Sequence, residues 1–200
     1  MTRSCGLIAV AIGLSLVGFG QRAEAAVISY IASLDGPSES PPNASPGTGF
    51  AQVDIDTITN MMRVQVSFSG LLGTTMASHI HAPTASPGAG TAGVATTTPT
   101  FTDFPLGVTS GTYDHTFDLT AASSYNPAYV TANGGTTAGA EAALLAAMAS
   151  GKSYLNIHTS VVPGGEIRGF LAPVPEPAGL VLASMGGLVV LAARRLRRLG

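Results

Sequence analysis

Histidines carry most of the chemistry that this sequence could perform. His79 and His81 stand two residues apart, and His158 lies in a second segment of alternating residues. Residues i and i+2 of a β-strand point to the same face of a sheet, about 6.5 to 7 Å apart. Two imidazoles so placed can chelate a transition metal, and a third from a neighbouring strand completes the site. The spacing predicts a copper or zinc site at these three residues, with His115 as a weaker fourth ligand.

The segment from Lys152 to Leu171 supplies the third histidine and other polar candidates. Its centre, Pro163 to Gly165, favours a tight turn between two strands, because proline presets φ and glycine accepts positive φ. Asn156 is then expected on the same face as His158.

After this turn, alternation is expected to place Glu166 and Arg168 on one face of the second strand. In a metal site, Glu166 would accept a hydrogen bond from the free ring N–H of a ligand histidine. In the alternative, purely structural interpretation, these polar side chains hydrogen-bond the backbone of the turn and the loops. Glu39 precedes a proline pair in a loop rich in proline and serine, and its simplest interpretation is a solvated loop charge. The alternative is a role beside Asn156, Glu166 and Arg168, either in support of a metal site or purely structural.

The elements that must position these residues are mostly strands. Segments in which apolar and polar residues alternate predict strands, and one segment rich in alanine and leucine, Glu141 to Ser150, predicts a short helix. The pattern favours a mostly β fold, an antiparallel, Greek-key-like β-sandwich of about seven strands. Strands are expected at 27–34, 49–56, 62–68, 76–82 and 111–120 and twice within 152–171, with loops at 35–49, 83–100 and 123–139.

The first 25 residues have the pattern of a secretory signal peptide. Arg3 supplies the positive charge, an apolar run follows, and Ala23 to Ala25 forms a small-residue cleavage site. The only cysteine, Cys5, would leave with this peptide. We therefore expect export through the inner membrane of a mature domain without thiols or disulfides.

The last 27 residues, 174–200, contain three recognisable parts in a fixed order. Pro175, Glu176 and Pro177 precede an apolar run at 178–193, and Arg194 and Arg195 begin a terminal arginine cluster. This order resembles the bacterial PEP-CTERM sorting signal. The resemblance implies transient retention in the inner membrane, cleavage by an exosortase-type enzyme, and release to or beyond the cell surface. The alternative is a permanent tail anchor, with the arginines kept in the cytoplasm.

Three separated motifs point to one domain type. They are L-x-G-x-x-E-x-P-P at Leu34 to Pro42, S-H-I-H-A-P at Ser78 to Pro83, and Y-L-N-I-H-T followed by P-G-G-E-I-R-G within Tyr154 to Gly169. Together they resemble the CHRD domain, over residues 26–172. The resemblance implies an extracellular protein without implying a particular activity.

Composition and motifs leave two function classes open. Only 10% of the residues are charged and the net charge is −2, which argues against a nucleic-acid partner. No nucleophile motif or catalytic carboxylate pair is recognisable, so no catalytic residue is assigned. We expect a non-enzymatic binding or structural role at the cell surface or in the extracellular matrix, with an extracellular polysaccharide as one partner. The alternative is a copper- or zinc-binding redox protein that uses His79, His81 and His158 in a sandwich similar to that of the superoxide dismutases.

Overall fold

Residues 27–175 are described by the structure, a computed structural model. This part of the chain is mostly β, with antiparallel strands and few short helices, which confirms the predicted fold class. The strands are β1 (Val27–Asp35), β2 (Thr48–Asp56), β3 (Met61–Ser69), β4 (Thr75–His81), β5 (Gly111–Asp118), β6 (Tyr154–Thr159), β7 (Ile167–Phe170) and β8 (Ala172–Pro173); the helices are α1 (Pro127–Ala132) and α2 (Thr137–Ala149), after a 3₁₀ turn at Ala122–Ser124.

The strands form one continuous antiparallel sheet that curls into a half-barrel. Its order is β4-β6-β7-β1-β2-β3-β5, and β8 adds to β1 beside this path. β4 and β5 therefore lie at opposite edges. Apolar side chains from both halves of the sheet and from α2 join in one core. The sequence suggested that the core would lie between the two sheets of a sandwich. Here one curled sheet encloses it instead.

The β2–β3 hairpin shows how strongly the alternation determines the strands. Val53 pairs with Val64, and both are fully buried. The four-residue connection is closed by Asp56, whose carboxylate accepts hydrogen bonds from the backbone N–H groups of Ile58 and Thr59. Asn60 takes a φ of 54°, which asparagine tolerates better than most residues.

The helical region is longer than the sequence predicted. α2 begins at Thr137, and α1 lies within 123–139, which was expected to be a loop. Side-chain caps explain the difference, because Asn126 accepts from the N–H of Ala128 and Thr136 accepts from the N–H of Gly139. These caps start helices in segments whose threonine, glycine and asparagine content favours loops.

The sheet region formed by β4, β6 and β7 has two buried faces. One carries Ile80, Leu155 and Ile157 into the core. The opposite face carries polar residues and is covered by loops, chiefly 83–100. Val94 forms an isolated bridge with His81. The loop packs closely against the sheet, since Thr96 is fully buried.

Two sequence predictions fall outside the described part of the chain. The signal peptide, 1–25, lies before it. Of the sorting segment only the beginning, up to Pro175, is included, and the apolar run at 178–193 lies after it. Within 27–175, no helix is long and apolar enough to cross a membrane.

Candidate functional site: a cluster of three histidines

Pairing of β4 with β6 brings together the three histidines singled out in the sequence. In the register of the two strands, His79 is opposite Asn156 and His158 is opposite Ala77. The ring centroids of His79 and His158 are 4.8 Å apart, and those of His79 and His81 are 5.0 Å apart. One ring nitrogen from each histidine lies within 4.8 Å of the other two. We call these three residues the histidine cluster.

Backbone carbonyls hold the outer nitrogen of each ring. Nδ1 of His81 is 2.9 Å from the carbonyl oxygen of Ala92, and Nδ1 of His158 is 2.8 Å from that of Pro163. His79 hydrogen-bonds the carbonyl of Pro99. Since carbonyls only accept hydrogen bonds, each ring donates an N–H outwards. These contacts could not be predicted from the sequence, because a backbone carbonyl has no residue-specific pattern.

The inner nitrogens of the cluster face one another. Nδ1 of His79 lies 3.2 Å from Nε2 of His81, so Nε2 is the nitrogen of His79 that remains free to bond the carbonyl of Pro99. Nε2 of His158 is buried and has no hydrogen-bond partner among the described residues.

All three imidazoles are neutral near pH 7. Burial lowers the pKa of His79 to about 3, with the neighbouring His158 and His81 adding to the effect and the carbonyl of Pro99 opposing it. Burial also lowers the pKa of His81 to about 4, against the opposing effect of the Ala92 carbonyl. The pKa of His158 is lowered chiefly by burial as well. Neutral imidazole is the form that binds metal ions.

Tyr154 and Arg168 form the flank of the cluster. The Tyr154 ring stacks on His81 with centroids 4.7 Å apart and planes 4° from parallel. The Arg168 guanidinium lies 4.7 Å from the centre of the Tyr154 ring and donates to the carbonyls of Ser38 and Gly90. Arg168 therefore ties two covering loops to the sheet, a structural role that the sequence allowed.

Glu39 is buried beside this arginine, so the expectation of a solvated loop charge was wrong. One of its carboxylate oxygens is 3.8 Å from Nε of Arg168, whereas the other, Oε1, is buried without a hydrogen-bond partner among the described residues. Burial raises the pKa of Glu39 to about 7, although Arg168 and the N–H of Ser40 act in the opposite direction. The Oδ1 atom of Asn156 is likewise unpartnered in this part of the chain. Both side chains approach the backbone of Gly165.

Glu166 lies away from the histidines, which corrects the expectation that it shares a face with Arg168. β7 begins at Ile167, so Glu166 is still in the turn and does not follow the strand alternation. Its carboxylate turns to the side of Thr159 and holds neighbouring segments together. It accepts hydrogen bonds from the hydroxyls of Ser45 (2.6 Å) and Thr159 (2.5 Å) and from the N–H groups of Leu72 (2.5 Å) and Gly73 (3.1 Å).

His115 is not brought to the histidine cluster either. It lies on β5, the opposite edge strand from β4. Its ring centroid is 4.7 Å from that of Phe117, and its Nδ1 is 3.8 Å from the exposed carboxylate of Asp103. The group of three histidines that could hold an ion does not include it.

One comparison with known proteins gives a match. A family model described as the CHRD domain matches residues 30–171, which is most of the chain. Comparison with curated proteins and with solved structures gave no match. The match covers most of β1, all of β2 to β7 and every residue of the histidine cluster.

Proposed function

Because the chain belongs to the CHRD-domain family, we propose that it is an exported, non-enzymatic protein that acts by binding at the cell surface or in the extracellular matrix. The signal-peptide pattern at 1–25 supports export. The order of motif, apolar run and arginines at 174–200 supports sorting by an exosortase-type enzyme after a transient stay in the inner membrane.

The observation that carries the binding role is an open sheet face on β2, β3 and β5. Phe50 stands on it with 44% of its surface exposed, opposite Ser67, which in turn pairs with Thr112. Gln52 and Gln65 form the next row. These residues border shallow depressions on the outer side of the sheet. We call this surface the open sheet face.

The charged side chains near the open sheet face are engaged in hydrogen bonds, and one guanidinium beside two carboxylates leaves no excess positive charge there. Arg63 donates to both carboxylate oxygens of Asp114, at 2.8 and 2.5 Å. Asp54 accepts from Ser29 and from the amide of Gln52. What remains is one exposed aromatic ring among amides and hydroxyls. Such a surface complements an uncharged chain of sugars, whose C–H faces stack on aromatic rings and whose hydroxyls hydrogen-bond amides.

We therefore take a neutral extracellular polysaccharide as the partner. Affinity electrophoresis through gels containing a soluble neutral β-glucan, with alginate gels for comparison, tests this. The full chain should be retarded by the neutral polymer, and Phe50→Ala should remove most of the retardation. Ile58→Ala is the matched control, because Ile58 is also an exposed apolar residue, at 62%, but lies in the β2–β3 turn.

Two results would count against this function. Equal mobility in glucan-containing and plain gels would exclude the neutral partner, and retardation by alginate alone would indicate recognition of negative charge. A loss caused equally by Ile58→Ala would point to nonspecific apolar adhesion rather than to the open sheet face.

The alternative, a redox metalloprotein related to the dismutases, is not favoured, because the description of the matching family names no redox activity. No reaction is assigned to the histidine cluster.

A further inference from the structure

The hydrogen bonds around the histidine cluster leave its centre without a proton. Each neutral imidazole has one N–H group and one nitrogen lone pair. The N–H groups of His81 and His158 are directed to the carbonyls of Ala92 and Pro163, and that of His79 to the carbonyl of Pro99. The three inner nitrogens therefore all carry lone pairs and lie within 4.8 Å of one another.

Converging lone pairs in a buried space repel one another unless a positive species lies between them. With the proton of His79 on Nε2, the 3.2 Å contact between Nδ1 of His79 and Nε2 of His81 sets two lone pairs against each other, and only the other tautomer of His79 makes it a hydrogen bond. Nε2 of His158 is likewise an unused buried acceptor. Burying a polar atom without a partner is unfavourable.

A proton or a different tautomer does not resolve the arrangement. An extra proton would lie on one inner nitrogen and be donated to one neighbour, so at least one of the three inner nitrogens would still lack a partner. Moving the proton of His79 to Nδ1 would create a bond to His81 but would set a lone pair against the carbonyl of Pro99. In that tautomer, Nδ1 of His79 gains a hydrogen bond but Nε2 of His79 loses one, and Nε2 of His158 still has no partner.

We propose that the histidine cluster is a metal-binding site in which Nδ1 of His79 and Nε2 of His81 and His158 bind one zinc or copper ion. Three imidazole nitrogens suit these borderline ions, whereas calcium and magnesium require oxygen ligands. Nitrogens bound at about 2.0 to 2.1 Å to a tetrahedral ion lie about 3.3 Å from each other. His79 and His81 already have this separation, and a side-chain shift of the order of 1 Å brings in the third nitrogen.

The surroundings have the features of an outer ligand shell. Ligand histidines in proteins commonly donate their second N–H to a backbone carbonyl, which fixes ring orientation and tautomer. Here all three rings are held in this way, and Tyr154 stacks on His81. Arg168 is the nearby positive group, and its charge is directed to Glu39 and two loop carbonyls. The ion would hold the loop at 83–100 against β4 and β6.

Metal titration of the full chain, stripped of metal with a chelator, tests the site. Zinc and, separately, Cu²⁺ are added, and bound metal is measured after gel filtration. We expect uptake to saturate at one ion per chain. His158→Ala should weaken binding by roughly 100-fold or more, since even outer-shell changes cost 10- to 100-fold. His115→Ala is the matched control, because this histidine lies on the other edge strand.

Nitrogen-detected NMR of the histidine rings gives a second, independent readout on the unmodified chain. Without metal, His79 should be the Nε2–H tautomer, and His81 and His158 the Nδ1–H tautomer. One equivalent of zinc should shift the three inner nitrogens and leave His115 unchanged. This measurement does not depend on whether a histidine variant folds.

The proposal is overturned by any of three results. These are no saturable uptake below about 1 mM free metal, equal loss of binding in His115→Ala and His158→Ala, or a His79 ring protonated at Nδ1 in the metal-free chain. The test is separate from that of the open sheet face, so either result can stand without the other.

Discussion

The backbone of Gly165 lies directly against the side chain of Asn156. A Cβ atom built on Gly165 would be 2.5 Å from the amide nitrogen of Asn156 and 2.7 Å from Oε1 of Glu39. Gly165 also has a φ of 129°, a conformation that residues with a side chain rarely adopt. The glycine is therefore what lets the β6–β7 turn close over the polar residues below it.

Gly165→Ala should destabilise the protein strongly. The methyl group meets two buried side chains, and the backbone is strained for alanine, so we expect a loss of at least about 2 kcal/mol in the free energy of unfolding. Urea unfolding followed by circular dichroism measures it. Gly164→Ala is the control, because a Cβ there meets nothing within 4 Å and should change stability little. Equal effects of the two substitutions would contradict the close packing.

Glu166→Gln should also be destabilising, because an amide cannot replace both acceptor oxygens of the carboxylate. We expect a loss of about 1.5 to 3 kcal/mol, the range for a hydrogen bond to a charged group. Asp114→Asn provides the comparison. Its carboxylate is paired with Arg63 at the surface, and its loss should be much smaller. A smaller effect at Glu166 than at Asp114 would refute the structural role assigned to Glu166.

The carboxylate of Glu166 should also make the free energy of unfolding depend on pH. Burial alone would raise the pKa of Glu166, but hydrogen bonds from Ser45, Thr159, Leu72 and Gly73 lower it below its usual value. The Glu166 carboxylate is therefore protonated at a higher pH in the unfolded chain than in the folded chain. The contribution of Glu166 is complete above about pH 4.5 and is lost as the pH falls further. The difference in unfolding free energy between the native sequence and Glu166→Gln should shrink below pH 4.5.

Glu39 should show the opposite trend. Its pKa is raised by burial to about 7, so between about pH 4.5 and 7 the folded chain holds a proton that the unfolded chain has released. Relative to Glu39→Gln, the native sequence should lose stability as the pH rises through this range. Chemical unfolding of both proteins across pH 4 to 8, with a chelator present, measures the difference. A constant difference, or one that grows with pH, would show that Arg168 keeps Glu39 ionised.

Export and sorting predict a defined mature chain. If the two terminal segments are processed as proposed, protein recovered from outside the cell should begin near Ala26 and end near Pro175, as measured by intact mass. Recovery of extracellular protein that retains Arg194 and Arg195 would exclude cleavage of the sorting segment. Recovery of the amino-terminal 25 residues would exclude a cleaved signal peptide.

The sequence predicted the strands better than it predicted the contacts between them. Apolar and polar residues alternate along β2 and β3, and this alternation determines which of their side chains are buried. The hairpin and its two faces could therefore be predicted from the two-residue period alone. His79 and His81 were correctly placed on one face for the same reason. Glu166 was placed on the wrong face, because strand periodicity does not extend into a turn.

The contacts that orient the histidine cluster could not have been predicted in this way. They come from the carbonyls of Ala92, Pro99 and Pro163, and any residue supplies a carbonyl. Their position depends on how the loop at 83–100 crosses the sheet. That path is determined by long-range packing, such as the burial of Thr96 and Phe101, and has no local sequence pattern.

The position of β7 in the sheet has a consequence for the order of folding. The strand order sets β1, β2, β3 and β5 in one group and β4 and β6 in another, with β7, almost the last strand of the chain, inserted between them. Neither group is joined to the other along the sheet until Ile167–Phe170 is in place, and such distant contacts form slowly. A chain still held by a ribosome or translocation pore at residue 165 therefore has its sheet in two pieces. If the chain is exported as proposed, its sheet is completed only after Ile167–Phe170 has left the translocation pore.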